Sequence, residues 1–181
     1  TRISGSCFQS ITQQIVRIDR QSSEPISEET ETKILEQLEL AIPEHDAVIL
    51  SDYHIGTLTD KVILKTIELC KKMNKKVIVD AQKDLQKYKG ITSMTPNLPD
   101  TQKHVGFFVK NNDDMHKAGI KLLSDTDAEC VLITCGEEGM ALVSGDKKMT
   151  RIPVFNKSKV FDVTGAGDTV TALYSLALAS G

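Results

Sequence analysis

Phe161-Asp162-Val163-Thr164-Gly165-Ala166-Gly167-Asp168-Thr169, running straight into Val170 to Ala179, is the stretch on which the reading of this chain turns. Two glycines around one alanine leave a backbone almost bare of side chains, so successive N–H groups can turn toward one point and hold an anion. Behind it, Val170, Leu173, Tyr174, Leu176, Ala177 and Leu178 recur with helical spacing. The bare turn is therefore expected at a helix N-terminus, where unpaired amides and the macrodipole both favour a phosphate. Asp168 falls in the same turn. A carboxylate beside an anion hole is placed to take a proton from an attacking hydroxyl while the amides of Gly165, Ala166 and Gly167 hold the phosphoryl group. By itself a Gly-x-Gly turn is common, and an Asp at a helix start often only caps it.

Working outward, the chain alternates apolar runs with helical patterns. Ser27 is expected to cap a helix carrying Ile34, Leu35, Leu38, Ala41 and Ile42, which Pro43 stops. Ala47-Val48-Ile49-Leu50 reads as a strand buried on both faces that emerges at Ser51-Asp52-Tyr53. A second helix follows from about Thr59 to Met73, and Val77-Ile78-Val79-Asp80 repeats the pattern of buried strand and terminal acid. Ile91 to Thr95 and Cys130 to Thr134 are two more strands, with a helix from Asp113 to Ser124 between them. Met140 to Val143 and Met149 to Val154 form a hairpin, and Gln13 to Asp19 has strand alternation suited to a sheet edge or lid. Strand, helix, strand order implies parallel pairing. Ligands of an open parallel sheet bind beyond the carboxyl ends of its strands, so Asp52, Asp80, Asn97, Thr134 and Asp168 are expected in one crevice.

Composition narrows the classes. A chain of 181 residues with 40% hydrophobic and 26% charged residues reads as one globular domain. Lys plus Arg 22 against Asp plus Glu 25 leaves a net charge of −3 and no long basic run, which argues against nucleic acid and against an anionic membrane surface. No apolar run approaches the roughly 20 residues that span a bilayer, so a cytoplasmic location is expected. Cys7, Cys70, Cys130 and Cys135 show no C-x-x-C spacing, and His45, His54, His104 and His116 show no metal-ligand spacing. Phe107-Phe108 is expected in the core. No G-x-x-x-x-G-K-[ST] motif occurs, which sets P-loop kinases aside.

The string Asp162-Val163-Thr164-Gly165-Ala166-Gly167-Asp168 resembles the D-T-x-G-A-G-D signature of the ribokinase (PfkB-type) carbohydrate kinases, departing at Val163. The resemblance implies an α/β, ribokinase-like fold: a mostly parallel Rossmann-like sheet flanked by helices, with part of a β lid near the N-terminus. It implies transfer of the γ-phosphoryl of ATP to a sugar hydroxyl, with Asp168 as base. Asn97-x-x-Asp100 stands where the family has N-x-x-E, implicated in magnesium and phosphate handling; Asp100 is one methylene shorter than the family's Glu. Thr134-Cys135-Gly136-Glu137-Glu138-Gly139 is similar to the T-x-G-x-x-G loop that lies along ATP, which marks Thr134, Gly136 and Gly139 as nucleotide-binding. Asp162 and Thr164 match positions that help coordinate a monovalent cation such as K⁺. Family members often pair through lid strands, so a homodimer is one arrangement the resemblance implies.

Gln13 to Asp19, Ser51-Asp52-Tyr53 with Gly56, Val79-Asp80, and Tyr88-Lys89-Gly90 leading to Thr95-Pro96-Asn97-Leu98 are similar to the heptose 7-phosphate kinase part of ADP-heptose synthases. That points to O1 of D-glycero-β-D-manno-heptose 7-phosphate as the acceptor, on the route to lipopolysaccharide core, with Asp52 contacting the sugar. Ile55 replaces the Lys usual before Gly56, and Ala81-Gln82 replaces Pro-Lys. Residues 1–181 are thus expected to form a partial ribokinase-like domain, without the family's N-terminal Gly-Gly sugar segment or the far end of its adenine pocket. Two alternatives stand beside this: a family kinase for another sugar or a nucleoside, and a non-catalytic nucleotide-binding fragment.

Overall fold

A computed structural model describes residues 1–5, 13–154 and 165–181 of the chain. Six strands form one sheet in the order β3 (Ala47–Asp52), β4 (Lys76–Ala81), β5 (Ser93–Met94), β6 (Cys130–Thr134), β7 (Met140–Ser144), β8 (Met149–Ile152). The pairs from β3 to β6 are parallel, and β6-β7-β8 is an antiparallel meander, as expected of the hairpin. A separate antiparallel ribbon pairs β1 (Arg2–Gly5) with β2 (Gln13–Arg17). The helices are α1 (Glu28–Ala41), α2 (Asp60–Lys72), α3 (Leu98–Val105), α4 (Asn112–Thr126) and α5 (Ala166–Ser180). Among the described residues no helix is long and apolar enough to cross a membrane.

Four helices begin where a short polar side chain replaces the missing intrahelical acceptor. Ser27, Thr59, Asn97 and Asn111 accept the N–H of Thr30, Val62, Asp100 and Asp114 respectively. Pro43 ends α1 in a 3₁₀ turn over Ile42–Glu44.

Register decides which face carries the core. Leu50, Val79, Met94, Val131 and Val143 lie side by side across five strands and are all buried. Ile63, Ile67 and Cys70 of α2 and Met115, Ala118 and Leu122 of α4 join the core cluster that contains Leu50, Val79, Met94 and Val131. Gly119 lets α4 approach, because a Cβ there would strike the Val143 side chain. Successive residues of a strand alternate faces, so Ile78, Ser93 and Cys130, a second row across β4, β5 and β6, look the other way, toward α5.

Three expectations change. Among the described residues, the strand at Ala47–Asp52 is a sheet edge rather than doubly buried: it pairs on one side only, and Ile49 is 42% exposed. The third strand contracts to Ser93–Met94, although Thr92 and Thr95 still donate their N–H groups to Val77 and Val79. Phe107 and Phe108 follow the left-handed Gly106 that closes α3, and that turn carries both to the surface.

Candidate active site

Helix α5 starts differently from the other four. Its cap is Gly165, left-handed at φ +78°, and among the described residues no side chain is bonded to the first turn as a cap. The Gly165 carbonyl accepts the Thr169 N–H at 3.0 Å and the Thr169 hydroxyl at 2.9 Å, which closes that turn. An α-helix leaves its first four N–H groups without internal acceptors, and here these belong to Gly165, Ala166, Gly167 and Asp168. A Cβ on Gly165 or Gly167 would meet none of the described residues within 4 Å, so the glycine at 165 answers to its backbone angle, and among the described residues nothing covers the amides.

The helix is docked by hydroxyls. Thr171 bonds Thr95 at 2.8 Å, and Tyr174 bonds Ser93 at 2.9 Å and the Cys130 thiol at 3.1 Å. Burial, with the Cys130 contact, pushes the Tyr174 hydroxyl well above its ordinary pKa, so it stays a neutral hydroxyl. Leu173 and Leu176 point away from the sheet and are exposed.

The carboxyl ends of β3, β4 and β6 meet the α5 turn at a crevice of about 200 Å³. Asp52, Asp80, Asn97, Asp100, Thr134, Gly165, Gly167 and Asp168 all line it, so the convergence read from the strand ends is found in the structure. Ala166 belongs to the same turn. Gly136 and Gly139 are not in the lining: they bracket a 3₁₀ turn, and a Cβ on Gly139 would run into the Ile152 carbonyl, so its glycine serves the β7–β8 hairpin. Asp162 and Thr164, the expected cation ligands, lie outside the described residues.

Among the described residues, the crevice lining contains four acids and no lysine or arginine. Burial raises the Asp80 carboxyl above its ordinary range, and the nearby charges of Asp168 and Asp100 raise it further. Burial likewise raises Asp100. Sequence reading places Asp80 in the crevice without giving it chemistry, whereas the structure makes it the acid that feels both others. Asn97 caps α3 through Oδ1 at 2.7 Å from the Asp100 N–H, leaving its amide nitrogen for other acceptors. A parallel bridge joins Asn97 to Thr134, and the Thr134 N–H donates to the Pro96 carbonyl at 2.9 Å.

Asp52 differs from these acids. It pairs in register with Ala81, not Asp80, and therefore points to the core face. There it accepts Lys87 Nζ at 2.7 Å, the Tyr88 hydroxyl, and the His54 N–H at 2.8 Å. Burial would raise its carboxyl, but those bonds and the Lys87 charge outweigh it and hold Asp52 below the ordinary value. Its oxygens are engaged inside the protein, so Asp52 anchors the loop after β3 beside the crevice. Tyr53, given no role by sequence reading, donates its hydroxyl to Asp168 Oδ1 at 3.3 Å. The available signal was an aromatic side chain immediately after a strand that ends at the crevice.

The pfkB family carbohydrate kinase model matches residues 4–181. The bifunctional protein HldE of Nitratiruptor sp. is 43% identical over 169 residues, covering 93% of this chain and 35% of that protein. HldE of Desulfatibacillum aliphaticivorans is 41% identical over 170 residues, with 93% and 35% covered. This chain thus spans about a third of the length of these curated relatives. Among solved structures, Arabidopsis thaliana ribokinase complexed with ribose and ATP superposes with a TM-score of 0.69 at 23% identity, over 87% of this chain and 48% of that one. Escherichia coli phosphofructokinase-2, in complex with substrates and products, gives 0.72 at 18% identity, over 94% and 54%. At these identities the two structures show the shared ribokinase-like fold. With a family model matched along nearly its whole length, the chain belongs to the pfkB family of carbohydrate kinases.

Proposed function

We propose that this chain is the phosphoryl-transfer part of an ATP-dependent sugar kinase whose acceptor is O1 of D-glycero-β-D-manno-heptose 7-phosphate. The observation that carries the reading is Asp168 in the uncapped first turn of α5, within a crevice formed by strand ends. The similarity to HldE supports the heptose acceptor. Asp168 takes the proton of the acceptor hydroxyl as that oxygen forms its bond to the γ-phosphorus and the bond to the ADP oxygen breaks. The amides of Gly165, Ala166 and Gly167 face the charge on the transferring group. Phosphoryl transfer depends chiefly on positioning and charge stabilisation, so one modest base is sufficient. Asn97 and Thr134 offer polar groups to the nucleotide from the opposite wall.

The donor set fits magnesium, a hard cation that keeps several waters and takes carboxylate oxygens. Asp80 and Asp100 would hold it; both are raised by burial, and Asp80 by repulsion from its neighbours as well, which a divalent cation relieves. Bound there, the ion would neutralise phosphate charge in a crevice whose described lining supplies no cationic side chain. Among the described residues no three acids, histidines or cysteines cluster as a complete metal cage. Magnesium that shares its shell with water and phosphate oxygens needs none.

A panel of sugars and sugar phosphates, read by ADP release from the full-length protein, tests the assignment. Heptose 7-phosphate is expected to give the highest kcat/KM. The panel includes the unphosphorylated heptose, because Ile55 and Gln82 stand where similar sequences carry lysine. ATP binding without transfer to any acceptor would overturn the kinase reading.

A further inference from the structure

Among the described residues, Tyr53 is the one aromatic residue in the crevice lining, and nothing in the core explains it. Its side chain is 58% exposed, so the ring adds little to folding. Yet both neighbours in sequence are held. Asp52 is buried against Lys87 and Tyr88, and His54, left-handed at φ 55°, donates its N–H back to Asp52. A loop tied down on each side of an exposed residue fixes where that residue points. The tip of Tyr53 reaches Asp168, 115 positions away in sequence, and donates to Oδ1 at 3.3 Å. Tyr53 thus lies where the exit of β3 meets the turn before α5.

We propose that Tyr53 is a positioning residue of phosphoryl transfer: its hydroxyl holds Oδ1 of Asp168, leaving Oδ2 to accept the proton of the incoming acceptor. The proposal rests on the kinase reading above. A carboxylate on two rotatable bonds at an exposed helix start has several orientations, and one directional bond selects among them. A bond of this kind to a charged group, needed only for the reactive orientation, is worth roughly 10-fold in rate.

The test is single-turnover and steady-state kinetics on the full-length protein as wild type, Tyr53→Phe, Asp168→Asn and the double variant. Tyr53→Phe is expected to lower kcat roughly 10-fold or more, with KM for ATP and the melting temperature close to wild type. In the Asp168→Asn background the same change is expected to cost nothing further, because the group it positions is already gone. Full turnover in Tyr53→Phe, or an equal fold loss in both backgrounds, would overturn the proposal while an active wild type leaves the kinase reading standing. A wild type that transfers phosphate to no acceptor would overturn both.

Discussion

Helices α2 and α5 cover opposite faces of the same sheet and are held there by opposite means. Helix α2 buries Val62, Ile63, Ile67, Leu69 and Cys70 and turns its lysines out. Helix α5 buries Thr171 and Ser175 and turns Leu173 and Leu176 out. Apolar burial is strong but non-directional, whereas hydrogen bonds are weak in net free energy and fix direction. The helix that needs only to stay in place uses the first. The helix whose N-terminus must aim four amides and a carboxylate uses the second. Their starts differ in the same sense: Thr59 spends its side chain on the first turn of α2, and Gly165 leaves that of α5 open.

Five substitutions probe that difference. Ile63→Ala on α2 should be the most damaging to folding, about 2–5 kcal/mol by denaturant titration, while kcat per folded molecule stays near wild type. Asp52→Asn should come next. Its folded carboxyl lies below the ordinary value, so the stabilisation it brings is present above pH 3.8 and is lost as pH falls through the lowered folded pKa. The melting-temperature deficit of Asp52→Asn should therefore be full at neutral pH and shrink in acid.

On α5, Thr171→Val strands the buried Thr95 hydroxyl and should cost about 1–3 kcal/mol. Replacing both threonines by valine should restore most of that stability but not turnover, since the helix regains its packing and not its aim. If turnover returned with stability, hydrogen-bonded docking would have no functional meaning.

Asp80→Asn, on the neighbouring strand to Asp52, should have the smallest effect and the opposite sign. A folded pKa raised above the unfolded value means stability that is present at low pH and lost as pH rises through the folded pKa. Asp80 therefore costs stability at neutral pH, and Asn should raise the melting temperature there, with the gain fading on acidification. The same variant should blunt any rise in melting temperature that magnesium gives the wild type.

Much of this was legible in the residues. The alternation of apolar runs and helical stripes carried the succession of strands and helices and the parallel pairing as far as the hairpin, and the acids at the ends of Ala47–Asp52 and Lys76–Ala81 pointed to one crevice. What stayed hidden depends on register and on long-range pairing. Asp52 and Asp80 look equivalent in sequence, each closing a strand, yet a one-residue offset across β3 and β4 sends one carboxylate to the core face and the other to the crevice. Ile49 reads as buried because its run is apolar, but local pattern does not say which strand lies at an edge. The Tyr53–Asp168 bond joins residues 115 positions apart, beyond any periodicity. Gly139 matched a nucleotide loop by spacing, while its backbone answers to the Ile152 carbonyl across the hairpin.

The central claim is that the acid at the open start of α5 accepts the proton of the attacking hydroxyl. Single-turnover phosphoryl transfer by Asp168→Asn, with ATP binding measured on the same preparation, tests it most directly. The account predicts ATP affinity near wild type and transfer slowed roughly 100-fold or more. Transfer at close to the wild-type rate would contradict it.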